Sequence, residues 1–132
     1  MSILSELQIY LSGYSGMAIQ TDIIGKDPSS YAIAPTGNSK SSEDILGNKT
    51  YENNYIFYAK ELTSNEIDRK ENQDFLEKFQ DWIDEQITLP SLSGSYKVIS
   101  MSVSNALLFD VNEDGLGIYQ VQIKLIIKKE VQ

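Results

Sequence analysis

The most regular pattern lies near the end of the chain. Tyr119, Val121, Ile123, Leu125 and Ile127 alternate with Gln120, Gln122, Lys124 and Lys128, and Ile126 is the one break in the polar set. Alternation with period two puts one face on a core and the other in water, so this stretch predicts a long half-buried strand. The period changes over residues 67–87. Phe75, Phe79, Trp82 and Gln86 share one ridge there, Leu76, Ile83 and Ile87 lie beside it, and the remaining positions are Glu, Lys, Asp and Gln. That spacing predicts a long amphipathic helix whose aromatic stripe packs on a sheet, with Phe79 and Trp82 buried. Asp68 followed by Glu71 offers a capping box at its start. Leu89-Pro90 marks the exit, because proline disfavours helical geometry in the residue before it.

The first half is less regular. Ile3, Leu4, Leu7, Tyr10 and Leu11 recur at helical spacing behind Ser2, a suitable N-cap, and Gly13 and Gly16 end that helix. Met17, Ile19, Thr21 and Ile23 alternate as in a strand. A turn at Gly25–Pro28 leads to a short strand, Tyr31–Ala34, closed by Pro35. Thr36, Gly37, Asn38, Ser39, Lys40, Ser41, Ser42, Glu43 and Asp44 are all small or polar and read as a mobile surface loop, either a plain connection or a segment that orders on contact with another subunit. Ile45-Leu46 reads as the start of a short strand before Gly47. From Asn54 to Leu62 both faces carry apolar or aromatic groups, which places that strand centrally in a sheet. Tyr96–Val103 adds another strand, and the stretch from Leu107 to Gly115 suggests a further strand and a hairpin turn. The fold class that follows is α+β in a single domain over 1–132: a mostly antiparallel sheet of about four to six strands, a long helix packed on one face, and a short N-terminal helix.

Composition narrows the chemistry. With 132 residues the chain fits one domain, and eight tyrosines supply large units of burial. The net charge of −8 repels phosphate, and Lys124, Lys128 and Lys129 are a small basic group on an acidic protein, so no nucleic-acid sequence recognition is expected. Cysteine and histidine are both missing, which removes disulfides, a thiolate nucleophile, the usual zinc ligands and an imidazole base. The N-terminus lacks the basic start and apolar run of a signal peptide, and no apolar run approaches the ~20 residues needed to cross a bilayer. A protein of the cytoplasm with no membrane partner is the expectation. Asn48-Lys49-Thr50 then matches a glycosylation sequon by chance.

Asp110-Val111-Asn112-Glu113-Asp114-Gly115 resembles the opening of a calcium loop, with oxygen ligands at alternate positions and glycine at the sharp turn. The twelfth position, which needs a bidentate glutamate, is Val121, and the residues before it read as strand. A hairpin turn is the better reading, so no metal, cofactor or catalytic residue is assigned. Asp81, Asp84 and Glu85 read as solvated charge on the long helix. Lys26 and Arg69 have no evident partner chemistry.

Tyr55-Ile56-Phe57, then Asp74-Phe75 with Phe79, Trp82-Ile83 and Gln86, then Leu89-Pro90 with Leu92, and last Tyr119-Gln120-Val121-Gln122-Ile123 with Leu125 follow one another in a telling order. Over roughly residues 45–127 the chain resembles the small minor capsid proteins of phages and prophages of Gram-positive bacteria, which are related to tail terminators. The matched residues are structural anchors: Phe57 in the sheet, Phe75, Phe79 and Trp82 over its face, and Leu89-Pro90 at the turn back. The resemblance implies a virion-assembly protein of a phage tail or phage-tail-like particle (a tailocin), not an enzyme. It implies a homo-oligomer, usually a six-fold ring, that caps the head-proximal end of the tube, stops polymerisation and meets tube, sheath, neck or cap proteins. Such a protein is made in the bacterial cytoplasm and ends in the particle. A neck or head–tail connector protein is the alternative within that class, and a small acidic monomeric binding module the alternative outside it.

Overall fold

A computed structural model describes the whole chain except residues 1, 26, 27, 87, 93, 95, 105, 113, 114 and 130–132, with the side chains of 38 and 39 also left out. The elements run α1 (Ile3–Leu11), β1 (Ile19–Thr21), β2 (Ser30–Glu43), β3 (Lys49–Leu62), α2 (Glu66–Glu85), β4 (Tyr96–Val103), β5 (Leu107–Val111) and β6 (Leu116–Lys129). One sheet holds all six of these strands, in the order β1-β2-β3-β6-β4, with β5 following β4 along the same edge of β6. It has seven strands if the two halves of β2 on either side of a break in register are counted apart, which exceeds the expected four to six. Among the described residues only β1 pairs in parallel, and the other pairings are antiparallel.

Alternation decides which face is dry. Tyr55, Phe57 and Ala59 of β3 lie beside Ile123, Val121 and Tyr119 of β6, all buried. Ile33 of β2 and Val98 of β4 continue that face outward. Leu76, Phe79 and Ile83 of α2, with Leu7 and Leu11 of α1, close over it in one core. The opposite face of the sheet carries Ile56, Tyr58, Gln120, Gln122, Lys124 and Ile126, and no helix among the described residues covers it. The molecule is a two-layer sandwich with an open sheet face. No helix of the described residues is long and apolar enough to cross a membrane.

Ser2 caps α1 as expected, its hydroxyl accepting from the Ser5 backbone N–H at 3.1 Å. The start of α2 differs. Asn65 is its N-cap, accepting from the Asp68 N–H at 2.8 Å, so the helix begins ahead of the expected Asp68–Glu71 capping box. Asparagine is as good a cap as aspartate, and here it sits where the chain leaves β3. The helix ends at Glu85 with Gln86 as C-cap, and the expected last residue, Ile87, lies outside the described residues. Trp82 is only half-buried. It packs between the helices, 5.8 Å from Tyr10 and 5.7 Å from Tyr14, while Phe79 takes the fully buried place against Phe57 at 4.7 Å.

A helix of 20 residues spans about 30 Å, and a 14-residue strand about 46 Å. The sheet therefore outruns α2. Leu89, Pro90 and Leu92 cover part of the excess beside Tyr96 and Val98, which accounts for the Leu-Pro exit. The rest of that end is the turn between β2 and β3.

A candidate assembly surface

The surface loop expected over residues 36–44 is not a loop. Thr36 to Glu43 belong to β2, and Ser39, Lys40, Ser41, Ser42 and Glu43 pair with Asn53, Glu52, Tyr51, Thr50 and Lys49 of β3. Between Pro35 and Ser39, β2 advances four residues while β3 advances two. The extra residues form a bulge at Gly37, whose φ of +80° suits glycine, and the Thr36 hydroxyl donates to the Asn54 carbonyl at 3.3 Å. Serine-rich sequence has little strand preference of its own, so β3 imposes the conformation. Strand β1 pairs with residues 31–33 alone, so the outer edge of β2 beyond them carries no strand among the described residues.

The true turn is Asp44 to Asn48, and it overturns the reading of Ile45-Leu46 as a strand. The Asp44 side chain holds it: Oδ1 accepts from the backbone N–H groups of Leu46 and Asn48, both at 2.9 Å, and Oδ2 from Asn48 Nδ2 at 3.2 Å. The Asp44 N–H donates to the Asn48 carbonyl at 2.9 Å, the Gly47 N–H to the Asp44 carbonyl at 3.0 Å, and Gly47 takes φ +87°. Desolvation pushes the Asp44 pKa up, yet the hydrogen bonds from Asn48 and Leu46 and the charge of Lys128 outweigh it and hold the carboxyl below its ordinary range. The tied turn presents Ile45 at 100% and Leu46 at 75% exposure. Two adjacent aliphatic side chains fixed at a hairpin tip gain nothing for the monomer's own core. The signal was present in the sequence: Asp44, Gly47 and Asn48 are turn residues, and they bracket the apolar pair.

Of the nine residues expected to meet a neighbour, Thr36 to Glu43 line the strand leading to this tip, and Asp44 anchors the tip itself. The described side chains from Lys40 to Asp44 are exposed. A second exposed apolar group lies on β5, where Leu107, Phe109 and Val111 are 62%, 63% and 50% exposed on the far edge of the sheet.

Strand β5 and β6 meet in the hairpin expected at the calcium-like segment. The Gly115 N–H donates to the Asn112 carbonyl at 3.1 Å, the Asn112 N–H to the Leu116 carbonyl at 2.7 Å, and Gly115 has φ +80°. Asp110 lies on β5 and its Oδ1 accepts from the adjacent Val111 N–H at 2.9 Å, while Glu113 and Asp114 lie outside the described residues. Among the described residues no group of three or more carboxylates gathers closely enough to hold a metal ion. Asp81, Asp84 and Glu85 are exposed on α2.

One half-buried polar cluster was not legible beforehand. Glu61 sits at the end of β3 beside Tyr31 and Ser29, and its Oε1 is enclosed without a hydrogen-bond partner. Burial raises the Glu61 pKa, and hydrogen bonds with the Tyr31 and Ser29 side chains partly oppose the rise. Tyr31 is pushed up to about 12, first by burial and then by the Glu61 charge. A strand position facing the helix layer forces a carboxyl inward, and only the tertiary pairing reveals it.

Against known proteins, the chain matches no family model, and no curated protein matches it significantly.

Proposed function

We propose that this protein is a structural assembly component of a phage tail or phage-tail-like particle, a terminator that forms a ring on the head-proximal end of the tube and stops its growth. The observation that carries the reading is the tip of the β2–β3 hairpin, where a turn tied by Asp44 holds Ile45 and Leu46 in solvent. Exposed aliphatic groups on an ordered turn are what a subunit contact needs, because little ordering entropy is left to be lost when they are buried. Open strand edges on β2 and on β4–β5, at opposite sides of one sheet, support the same reading. Two different surfaces meeting side to side make a heterologous contact, which closes into a ring when its rotation permits. The resemblance of the aromatic and Leu-Pro anchors to minor capsid proteins supplies the particle.

Because Ser39 to Glu43 are paired with β3, substitution at the tip tests the reading more cleanly than removal of the strand that leads to it. Ile45→Asp with Leu46→Asp is expected to leave the monomer folded and to give uncapped tails of irregular length, seen by electron microscopy of particles from a complemented deletion strain. Tails of normal length from the strain lacking the gene altogether would sink the terminator reading.

A further inference from the structure

The two layers carry opposite charge. Helix α2 holds eight carboxylates against three basic residues, a surplus of five negative charges. The open sheet face, among the described residues, holds Lys40, Lys60, Lys97, Lys124 and Lys128 against Glu52 and Asp110, a surplus of three positive charges. In a chain of net charge −8, this segregation concentrates cations on the sheet face that no helix among the described residues covers.

Each layer also has a local charge arrangement that its own fold leaves unfavourable. Lys97 of β4 and Lys128 of β6 are directly opposite in register, and like charges across a strand pair repel. Asp84 and Glu85 occupy the last turn of α2, where no basic residue lies, so they face the negative end of the helix dipole. Lysines in need of anions and carboxylates in need of cations thus lie on opposite sides of one sandwich. Around Lys124, a depression of about 220 Å³ lined by Asn54, Ser102, Ser104 and Gln122 adds amide and hydroxyl donors.

We propose that the open sheet face of one copy seats on the acidic C-terminal half of α2 of the next, with Lys97, Lys124 and Lys128 against Asp81, Asp84 and Glu85. The proposal rests on the ring reading and adds to it a contact between neighbouring copies. The occupant is a second copy because the same chain supplies the matching carboxylates. The face also mixes its lysines with half-buried Ile56, Ile118 and Ile126, which a protein surface satisfies and a phosphate backbone does not. Because the two surfaces lie on opposite faces of the subunit, the contact is heterologous and propagates from copy to copy.

The test uses two charge reversals on the full chain: Lys97→Glu with Lys128→Glu on the sheet, and Asp81→Lys with Asp84→Lys on the helix. Circular dichroism first establishes that both fold. In sedimentation velocity at low salt, wild type is expected to associate, each variant alone at least about tenfold more weakly, and added salt to weaken the wild type. An equal mixture of the variants restores association, since each then supplies the charge the other lacks. Two folded variants that still assemble as wild type does would overturn this contact and leave the ring reading standing on other surfaces. Failure of the mixture to recover overturns the contact as well. A wild type that stays monomeric yet binds a duplex or single-stranded oligonucleotide through Lys97 and Lys128 overturns both, and assigns the face to nucleic acid.

Discussion

The two halves of β2 pair with the same neighbour by the same hydrogen-bond pattern, yet different forces hold them. In the inner half, Ala32 and Ile33 are 1% and 0% exposed, β1 pairs alongside, and the Tyr31 ring stacks 5.9 Å from both Phe57 and Phe75. The outer half, from Ser39 to Glu43, has no strand on its outer side among the described residues and no fully buried side chain among those described. Its conformation comes from β3 on one side and from the Asp44 turn at its end. Burial makes the inner half part of the global fold. The outer half is an arm whose order is local, a division of stability common where a surface must meet a partner.

That contrast breaks most visibly in the core. Phe57→Ala removes a fully buried ring that touches both Tyr31 and Phe79, and is expected to lower stability by about 3–5 kcal/mol in a denaturant melt. A loss under about 1 kcal/mol would mean the inner half does not depend on the core. Trp82→Ala should cost less, about 2–3 kcal/mol, because the indole is half-buried between α1 and α2 and Phe79 already fills the sheet side. An equal loss for the two residues would put Trp82 back under the sheet-facing core.

The sequence made the inner half legible and the outer half opaque, for a physical reason. Alternation and helical period report burial, so the strand at 119–127, the central strand ending at Leu62, and the long and short helices could be read from residues. Burial says nothing where a strand is held only by its neighbour's backbone. Ser39 to Glu43 have no apolar alternation to read, and the polar run looked like a loop. The strand at Met17–Ile23 erred the other way: only Ile19 to Thr21 pair, because Asp22 turns the chain at φ +66° while its N–H is tied to the Ile33 carbonyl. The turn signal at Asp44, Gly47 and Asn48 was there to read around the exposed pair, while the pairing of the polar run before it was not.

A smaller effect tests the inner half from its edge. Burial raises the Glu61 carboxyl pKa, so the native state holds this proton more tightly than the unfolded chain does. Stability from this group is fully present below the unfolded carboxyl range and is lost as pH rises through the raised native value. Glu61→Gln removes the buried charge. The variant should therefore melt higher than wild type at neutral pH, and the gap should close toward acid pH, where Glu61 is protonated in both states. A difference in melting temperature that stays constant with pH would show that packing, not charge, governs the site.

The smallest global effect is expected at the arm's tip, and there the readout must be local. Asp44→Ala removes the three hydrogen bonds that the side chain accepts from Leu46 and Asn48, all in exposed positions. Cooperative unfolding depends on the core beneath the helices, which the turn does not touch, so the melting temperature should scarcely move. The Leu46 and Asn48 amides should lose protection in hydrogen exchange, and so should the amides from Ser39 to Glu43 that hydrogen-bond to β3, if the turn and β3 together hold the outer half. Amides of the inner half, around Ala32 and Ile33, should keep wild-type protection. Loss of protection that spreads to the inner half would make β2 one cooperative unit and erase the distinction between its halves. Unchanged exchange at Leu46 and Asn48 would show that the Gly47 turn forms without its aspartate, and that Ile45 and Leu46 owe their fixed position to the backbone alone.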